Sequence, residues 1–184
     1  GPPGAGKTYT ARHVISQLLE NGKRVGISSN SHKAIINLME GVADQLLEHG
    51  SQGRLLKVGG DKNDPIFDKK NVEYRNNAKA CASELNDSSL CIGGTAWLFC
   101  NALLTESEGT APLDYLFIDE AGQVSVANLV GMSRSANNLV LMGDQMQLGQ
   151  PIQGSHPDES GQSILEYLLQ QHATIPADLG VFLS

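Results

Sequence analysis

The sequence is short of several residue types at once. Among 184 residues there are three cysteines, one tryptophan, four phenylalanines and four tyrosines, and 18% are charged. No uninterrupted apolar run approaches the roughly 18–20 residues of a membrane-spanning helix, so no such span is expected. The chain opens on Gly-Pro-Pro-Gly instead of a basic, apolar stretch, and no secretory leader is read there. Cys81, Cys91 and Cys100 are odd in number and widely spaced, which fits neither a zinc pattern nor a disulfide framework. Cys91 and Cys100 lie in apolar stretches, so buried free thiols in a reducing, cytoplasmic compartment are expected. No motif sets a histidine beside any of them to make a nucleophile.

Basic residues also run out early. Residues 1–79 carry 12 basic and 8 acidic side chains, a balance of +4; residues 80–184 carry Arg134 alone against 12 acidic side chains, a balance of −11. The net charge of −7 argues against non-specific coating of nucleic acid. The basic half leaves room for a phosphate-contacting strip, although a solvated charged face is the plainer reading.

What remains is ordinary for a globular protein, with 40% hydrophobic residues and no low-complexity tract. The length suits one domain of typical size. There is no starting Met, residue 1 already belongs to a motif, and Gly180–Ser184 reads as a strand that stops. A piece of a longer protein is therefore expected.

Periodicity alternates helix and strand. Residues 7–20 and 32–48 carry apolar positions at helical spacing, the first ending at Asn21-Gly22 and the second before Gly50. Strands are expected near 24–29, 55–58, 89–93, 113–118 and 138–142. Further helices are expected near 78–86, 95–104, 124–132 and 163–171. Residues 59–77 are polar and aperiodic and read as a loop or small insertion. Strands separated by crossover helices imply an α/β fold, a parallel sheet with helices on both faces.

Gly1-Pro2-Pro3-Gly4-Ala5-Gly6-Lys7-Thr8 fits the phosphate-loop pattern G-x-x-x-x-G-K-[ST] at every fixed position. Glycines let successive N–H groups point at phosphate oxygens, and the helix that follows adds its positive end. Lys7 is expected on the β- and γ-phosphates of ATP, and the Thr8 hydroxyl on Mg²⁺. The strand over 113–118 delivers Asp119 and Glu120 to the same rim of the sheet, where ligands of open parallel sheets bind. Asp119 is expected to hold the metal and Glu120 to orient and deprotonate the attacking water.

Three more clusters follow strands. Gly143-Asp144-Gln145-Met146-Gln147-Leu148 offers Gln147 as a sensor of the γ-phosphate. Ser28–Lys33 and Gly93-Gly94-Thr95 offer hydroxyls, an amide and helix N–H groups to nucleic-acid phosphates, or plain helix caps. Trp97 could stack a base, but in the apolar stretch Ala96–Phe99 it reads first as core.

In this order the clusters identify the chain as similar to the first RecA-like motor domain of superfamily 1 helicases, in the Upf-like, superfamily 1B branch. The matching residues are Gly1–Thr8, Ser28–Lys33, Gly93–Thr95, Asp119–Gln123, and Gly143–Leu148 with Pro151. The stretch from Leu113 to Leu169 looks particularly like bacterial proteins that fuse such a motor to a RecB-like nuclease. The resemblance implies a P-loop NTPase with a RecA-like sheet, truncated at both ends, over residues 1–184. It implies ATP- and Mg²⁺-dependent movement on single-stranded nucleic acid, DNA favoured over RNA. Lys7, Glu120 and Gln147 would be catalytic, and Thr8 and Asp119 would hold the metal. Asp144 would couple hydrolysis to the bound strand, and Asn30, Ser31, His32, Thr95 and Pro151 would lie along it. A second RecA-like domain after this chain and a nuclease domain before it are implied partners, and the isolated fragment would be inactive or weakly active.

Two departures stand out. Gly149-Gln150 separate Leu148 from Pro151, where the family often has Pro at once. Neither the adenine-reading Gln motif nor an arginine finger is found. A different class stays open: a P-loop switch or assembly module that regulates a protein partner without unwinding, its acidic half docking a basic surface. A small-molecule kinase ranks last, because a glutamate follows Asp119 and G-D-x-x-Q-L follows the next strand.

Overall fold

The computed structural model describes residues 6–106, 109–143, 163–169 and 180–181. Six strands form one parallel sheet: β1 (Val25–Ser28), β2 (Arg54–Val58), β3 (Val72–Arg75), β4 (Leu90–Gly94), β5 (Leu113–Ile118) and β6 (Ala136–Leu141), in the order β3-β2-β4-β1-β5-β6. β1 and β4 are buried at every position, as central strands covered on both faces must be.

Helices α1 (Lys7–Glu20) and α2 (His32–Glu48) cover one face. Ile15, Leu19, Ile35, Met39 and Leu46 pack there on Val25, Ile27, Leu55, Cys91 and Phe117. Both helices end in a left-handed glycine with paired backbone bonds. After α1, Gly22 has φ 77° and the Lys23 amide donates to the Leu18 carbonyl; after α2, Gly50 has φ 66° and the Ser51 amide donates to Leu46. The short helices α3 (Ala96–Phe99), α4 (Val126–Ser133) and α5 (Ile164–Leu169) cover the other face, where Leu98, Phe99, Met132 and Ile164 meet Ile92, Leu116 and Ile118. No helix of the described residues is long and apolar enough to cross a membrane.

Residues 59–77 are more than a loop. They hold a 3-10 turn at Pro65–Asp68 and the edge strand β3, paired in parallel to β2 from Leu55↔Val72 to Val58↔Arg75. Glu73 and Arg75 made this stretch look irregular, yet they are what an edge strand can afford to carry. Arg54 bonds Glu73 and Glu84 at 2.9 and 2.6 Å, and Arg75 bonds the same two carboxylates at 2.8 Å each. Residues 78–84 form a 3-10 turn, and the expected helix at 95–104 divides into α3 and a 3-10 turn at Ala102–Leu104. The strand expected at 180–184 lies mostly outside the described residues.

Part of the basic half is held in ion pairs or buried. Arg24 is bound to Asp114, Lys69 to Asp44, Arg54 and Arg75 to the glutamates above, and Lys57 is buried. Five of the twelve basic residues of the first half are thus unavailable for a phosphate strip.

α2 sits close to the sheet because β4 has no side chain at Gly93. A Cβ there would collide with Met39 Sδ and lie 2.9 Å from Ile35 Cγ2. Gly93→Ala should therefore destabilise the fold by about 1–3 kcal/mol through overpacking, measured as a lower denaturation midpoint at unchanged slope.

Candidate nucleotide and nucleic-acid site

The carboxyl ends of β1, β5 and β6 lie side by side and are sewn together past their last residues. The Asp119 amide donates to the Ser28 carbonyl at 2.8 Å, the Met142 amide to Ile118 at 2.9 Å, and the Ala121 amide to Met142 at 2.8 Å. A Cβ on Gly143 would stand 3.0 Å from the Ala121 and Gly122 nitrogens, so the loops after β5 and β6 touch at their backbones.

α1 begins at this rim. Gly6 takes φ 73°, which only glycine adopts freely, and its carbonyl accepts the Thr10 amide at 2.8 Å. Lys7 and Thr8 are the first two residues of α1, with Thr8 exposed. Burial pushes the Asp119 carboxyl above its ordinary value, and the neighbouring charge of Glu120 adds to this. The Glu120 amide, bonded to Asp119 Oδ1 at 2.9 Å, and the Lys7 ammonium act the other way. Lys7, Asp119 and Glu120 are therefore within one electrostatic environment. Glu120 itself sits at φ 54°, ψ 39°, the left-handed region that few non-glycine residues enter. Gly1, Pro2, Pro3, Gly4, Ala5, Asp144, Gln147 and Pro151 lie outside the described residues.

A second feature opens on the same end of the sheet. A cleft of about 450 Å³ is lined by Asn30, His32, Thr95, Ala96, Trp97, Cys100 and Asn128. It brings together three of the residues that sequence reasoning set along a nucleic-acid strand: Asn30, His32 and Thr95. Ser31 is the N-cap of α2, its hydroxyl accepting the Ala34 amide at 3.4 Å. Trp97 is 87% exposed and is not core, because the apolar face of the four-residue α3 is supplied by Leu98 and Phe99. Cys100, expected to be buried, is exposed as well, since it lies at the C-cap of that helix; Cys91 is buried as expected and Cys81 is buried too, and burial pushes the Cys91 thiol up to about 12.

A family model described as an AAA domain matches residues 1–160, which take in every strand of the sheet. The chain belongs to the AAA domain family. It is 27% identical over 185 residues to the DNA replication ATP-dependent helicase/nuclease DNA2 of Saccharomyces cerevisiae, covering 97% of this chain and 12% of that protein. To the helicase/nuclease JHS1 of Arabidopsis thaliana it is 28% identical over 165 residues, covering 89% of this chain and 12% of that protein. This AAA domain thus spans about an eighth of the curated relatives it matches. Among solved structures it is similar to a nuclease-deletion mutant of the Type ISP restriction-modification enzyme LlaGI in complex with a DNA substrate mimic. The TM-score is 0.52 at 15% identity, over 88% of this chain and 14% of that one, a likeness of fold. The fold is a RecA-like P-loop α/β sheet, and the resemblance to helicase–nuclease proteins holds.

Two contacts of this AAA domain were not legible in the sequence, that of Ser29, read only within the Ser28–Lys33 cluster, and that of Lys57. Ser29 is buried and its hydroxyl donates to Glu120 Oε2 at 3.0 Å. Lys57 is fully buried at the end of β2, and its Nζ lies 2.9 Å from each of three acceptors: the Val58 and Gly59 carbonyls and His32 Nδ1. An ammonium has three donors and no acceptor, so His32 Nδ1 must accept and its proton sits on Nε2. Burial, with the charge of Lys57, holds the His32 pKa below its ordinary value, which agrees with a neutral ring. The signal for Lys57 was a lysine inside the apolar run Leu55–Val58.

Burial lowers the Lys57 pKa from 10.5 to about 8. An unfolded chain then binds more protons than the folded one between those values, so the folded state gains as pH rises through that window. The stability of the wild type relative to a Lys57→Met variant should therefore climb from pH 8 to pH 10 and stay flat below pH 7, measured by urea unfolding across pH.

Proposed function

We propose that this chain is an ATP-hydrolysing motor domain, the first of two RecA-like domains of a helicase or translocase that works on single-stranded nucleic acid, DNA favoured. One observation carries the reading: the sheet brings the start of α1 and the Asp119–Glu120 pair to one rim, while Asn30, His32 and Thr95 meet in a cleft at the same end. In this reading Gly1 to Thr8 cradle the phosphates of ATP and Lys7 neutralises the charge developing on the transferred group. Glu120 orients the attacking water and accepts its proton.

The residues fit a divalent cation. Asp119 is a half-buried carboxyl whose ionised form is disfavoured by desolvation, and the exposed Thr8 hydroxyl stands on the helix that opens at the same rim. Thr8 and Asp119 would hold Mg²⁺, which supplies charge neutralisation at the phosphates when bound. Gln147 would sense the γ-phosphate, Asp144 would couple it to the strand, and Pro151 would extend the strand path. The relatives named as helicase/nucleases support a second motor domain and a nuclease domain as partners in the same protein. The free thiols support a reducing, cytoplasmic setting.

Trp97 and the neutral His32 would suit an unpaired strand, the indole as a stacking face and Nε2–H as a donor to phosphate or base.

In the full-length protein, phosphate release should rise on adding single-stranded DNA. Lys7→Ala should lower kcat at least about 100-fold, and Glu120→Gln should abolish turnover while nucleotide binding persists. An ATPase indifferent to single strands would sink the motor reading in favour of a nucleotide switch. Trp97→Ala should weaken binding of a fluorescent single-stranded oligonucleotide by about 5- to 100-fold, the loss of one stacked base, with the melting temperature unchanged.

A further inference from the structure

We infer that Lys57 and the Gly59–Gly60 turn form a socket that sets whether His32 offers the cleft a hydrogen-bond donor or an acceptor, and so whether the cleft takes the phosphates of a strand. That the occupant is a single strand rests on the function proposed above; the state of the His32 ring does not.

The socket joins three elements. Lys57 lies on the face of β2 that α2 covers, two residues on from Leu55, which packs in that core. Its register partner on β4 is Gly93, which has no side chain to compete for the space. Nζ holds the Val58 and Gly59 carbonyls and His32 Nδ1, each at 2.9 Å. Gly59 and Gly60 take left-handed backbone, φ 69° and 83°, and lay bare main chain against the imidazole. A Cβ on Gly60 would stand 3.2 Å from His32 Nδ1 and 3.3 Å from Cγ, and one on Gly59 3.6 Å from Cε1. The Nδ1 side of the ring is thus enclosed, while His32 as a whole is exposed and lines the cleft. Across the same cleft α3 presents Trp97, 87% exposed, as a face for a base.

Counting protons fixes the chemistry. With Lys57 an ammonium, all three of its donors are in use, Nδ1 accepts and Nε2 carries the ring proton. When Lys57 gives a proton to solvent, the amine keeps two N–H donors for the two carbonyls and turns its lone pair on Nδ1. The ring stays neutral and keeps its one proton, which passes through water from Nε2 to Nδ1 and there donates to Nζ. Nε2 becomes an acceptor. A phosphate oxygen only accepts, so it bonds the first form and meets lone pair against lone pair in the second.

The exchange falls in an accessible range, because burial brings Lys57 from 10.5 to about 8. Asp64, the N-cap of the turn at Pro65–Asp68, is the charge that favours the ammonium. Tyr74, the register partner of Lys57 on β3, packs edge-on to Phe67. Lys33, beside His32 on α2, is exposed, and burial raises the Cys100 thiol, so it loses its proton later than Lys57.

The test uses the full-length protein without nucleotide. Diethyl pyrocarbonate acylates an imidazole only through a nitrogen with a free lone pair. Its rate at His32, read by mass spectrometry against added N-acetylhistidine, should be suppressed at least about 10-fold at pH 7, where Nδ1 is engaged by a charged donor and Nε2 is protonated. By pH 10 the suppression should be gone. Over the same range the Kd for a fluorescent oligothymidylate should rise roughly 3- to 10-fold, the scale of one net hydrogen bond. Lys57→Arg, whose guanidinium stays charged throughout, should hold the Kd flat. Equal relative reactivity of His32 at both pH values overturns the inference, and so does a wild-type Kd that stays flat or one that rises as steeply in Lys57→Arg. The reagent pattern needs no variant and decides the matter if Lys57→Arg does not fold. Absence of strand binding at every pH, with His32 still gaining reactivity, overturns the proposed function and the strand half of the inference while upholding the socket.

Discussion

The pairing of β1 with β5 does more than hold the middle of the sheet. It runs in register from Val25↔Tyr115 to Ser28↔Ile118 and continues one residue further, where the Asp119 amide meets the Ser28 carbonyl. That extra bond sets the height of the carboxylate pair relative to the segment that opens α2. β6 is joined to the same edge by Met142 and Ala121, so three strand ends share one backbone network. Slip this register by a residue and every side chain on β5 changes face, Phe117 trading places with Leu116 and Ile118. The rim that carries Asp119 and Glu120, the cleft and the hydrogen bonds between them all inherit their geometry from that pairing.

Charge is distributed by the same logic. The first half of the sequence is basic, yet part of that charge is turned inward to edge and loop. Arg54 and Arg75 hold β2, β3 and the turn at 78–84 together through Glu73 and Glu84, and Arg24 ties the entry of β1 to Asp114. These pairs are partly exposed and individually weak, but as a network they fix the geometry of an edge strand that has few apolar residues to bury. Lys57 is the exception in kind. Its ammonium is fully satisfied by three acceptors and spends its charge on the tautomer of one histidine.

The parts legible in the sequence were those where periodicity and chemistry agree. α1, α2 and β5 appear at their expected bounds because apolar spacing, glycine stops and strand composition point the same way. The Asp119–Glu120 pair stands out as an acidic pair at the end of an apolar strand, whereas the phosphate-loop pattern rests on residue types alone, since its first five residues lie outside the described ones. β3 was hidden because Val72-Glu73-Tyr74-Arg75 looks polar, and its partners, Arg54 and Glu84, are remote in sequence. Trp97 and Cys100 were misplaced because a four-residue helix has room for only two inward side chains, and those are Leu98 and Phe99. Ser29 looked like any serine before a cap; what singles it out is a carboxylate 91 residues away.

The order of the strands also bears on how the chain is made. Arg24 and Asp114, bonded at the entry to the central pair, are 90 residues apart, and the neighbours of β1 are β4 and β5. A ribosome releases α1, β1 and α2 long before the segments that bury them. Until residue 118 is out of the exit tunnel, β1 has no β5 to pair with, and its apolar faces must be shielded by transient collapse or by chaperones. Synthesis speed across the stretch between β1 and β5 thus becomes a quantity on which the yield of folded protein depends.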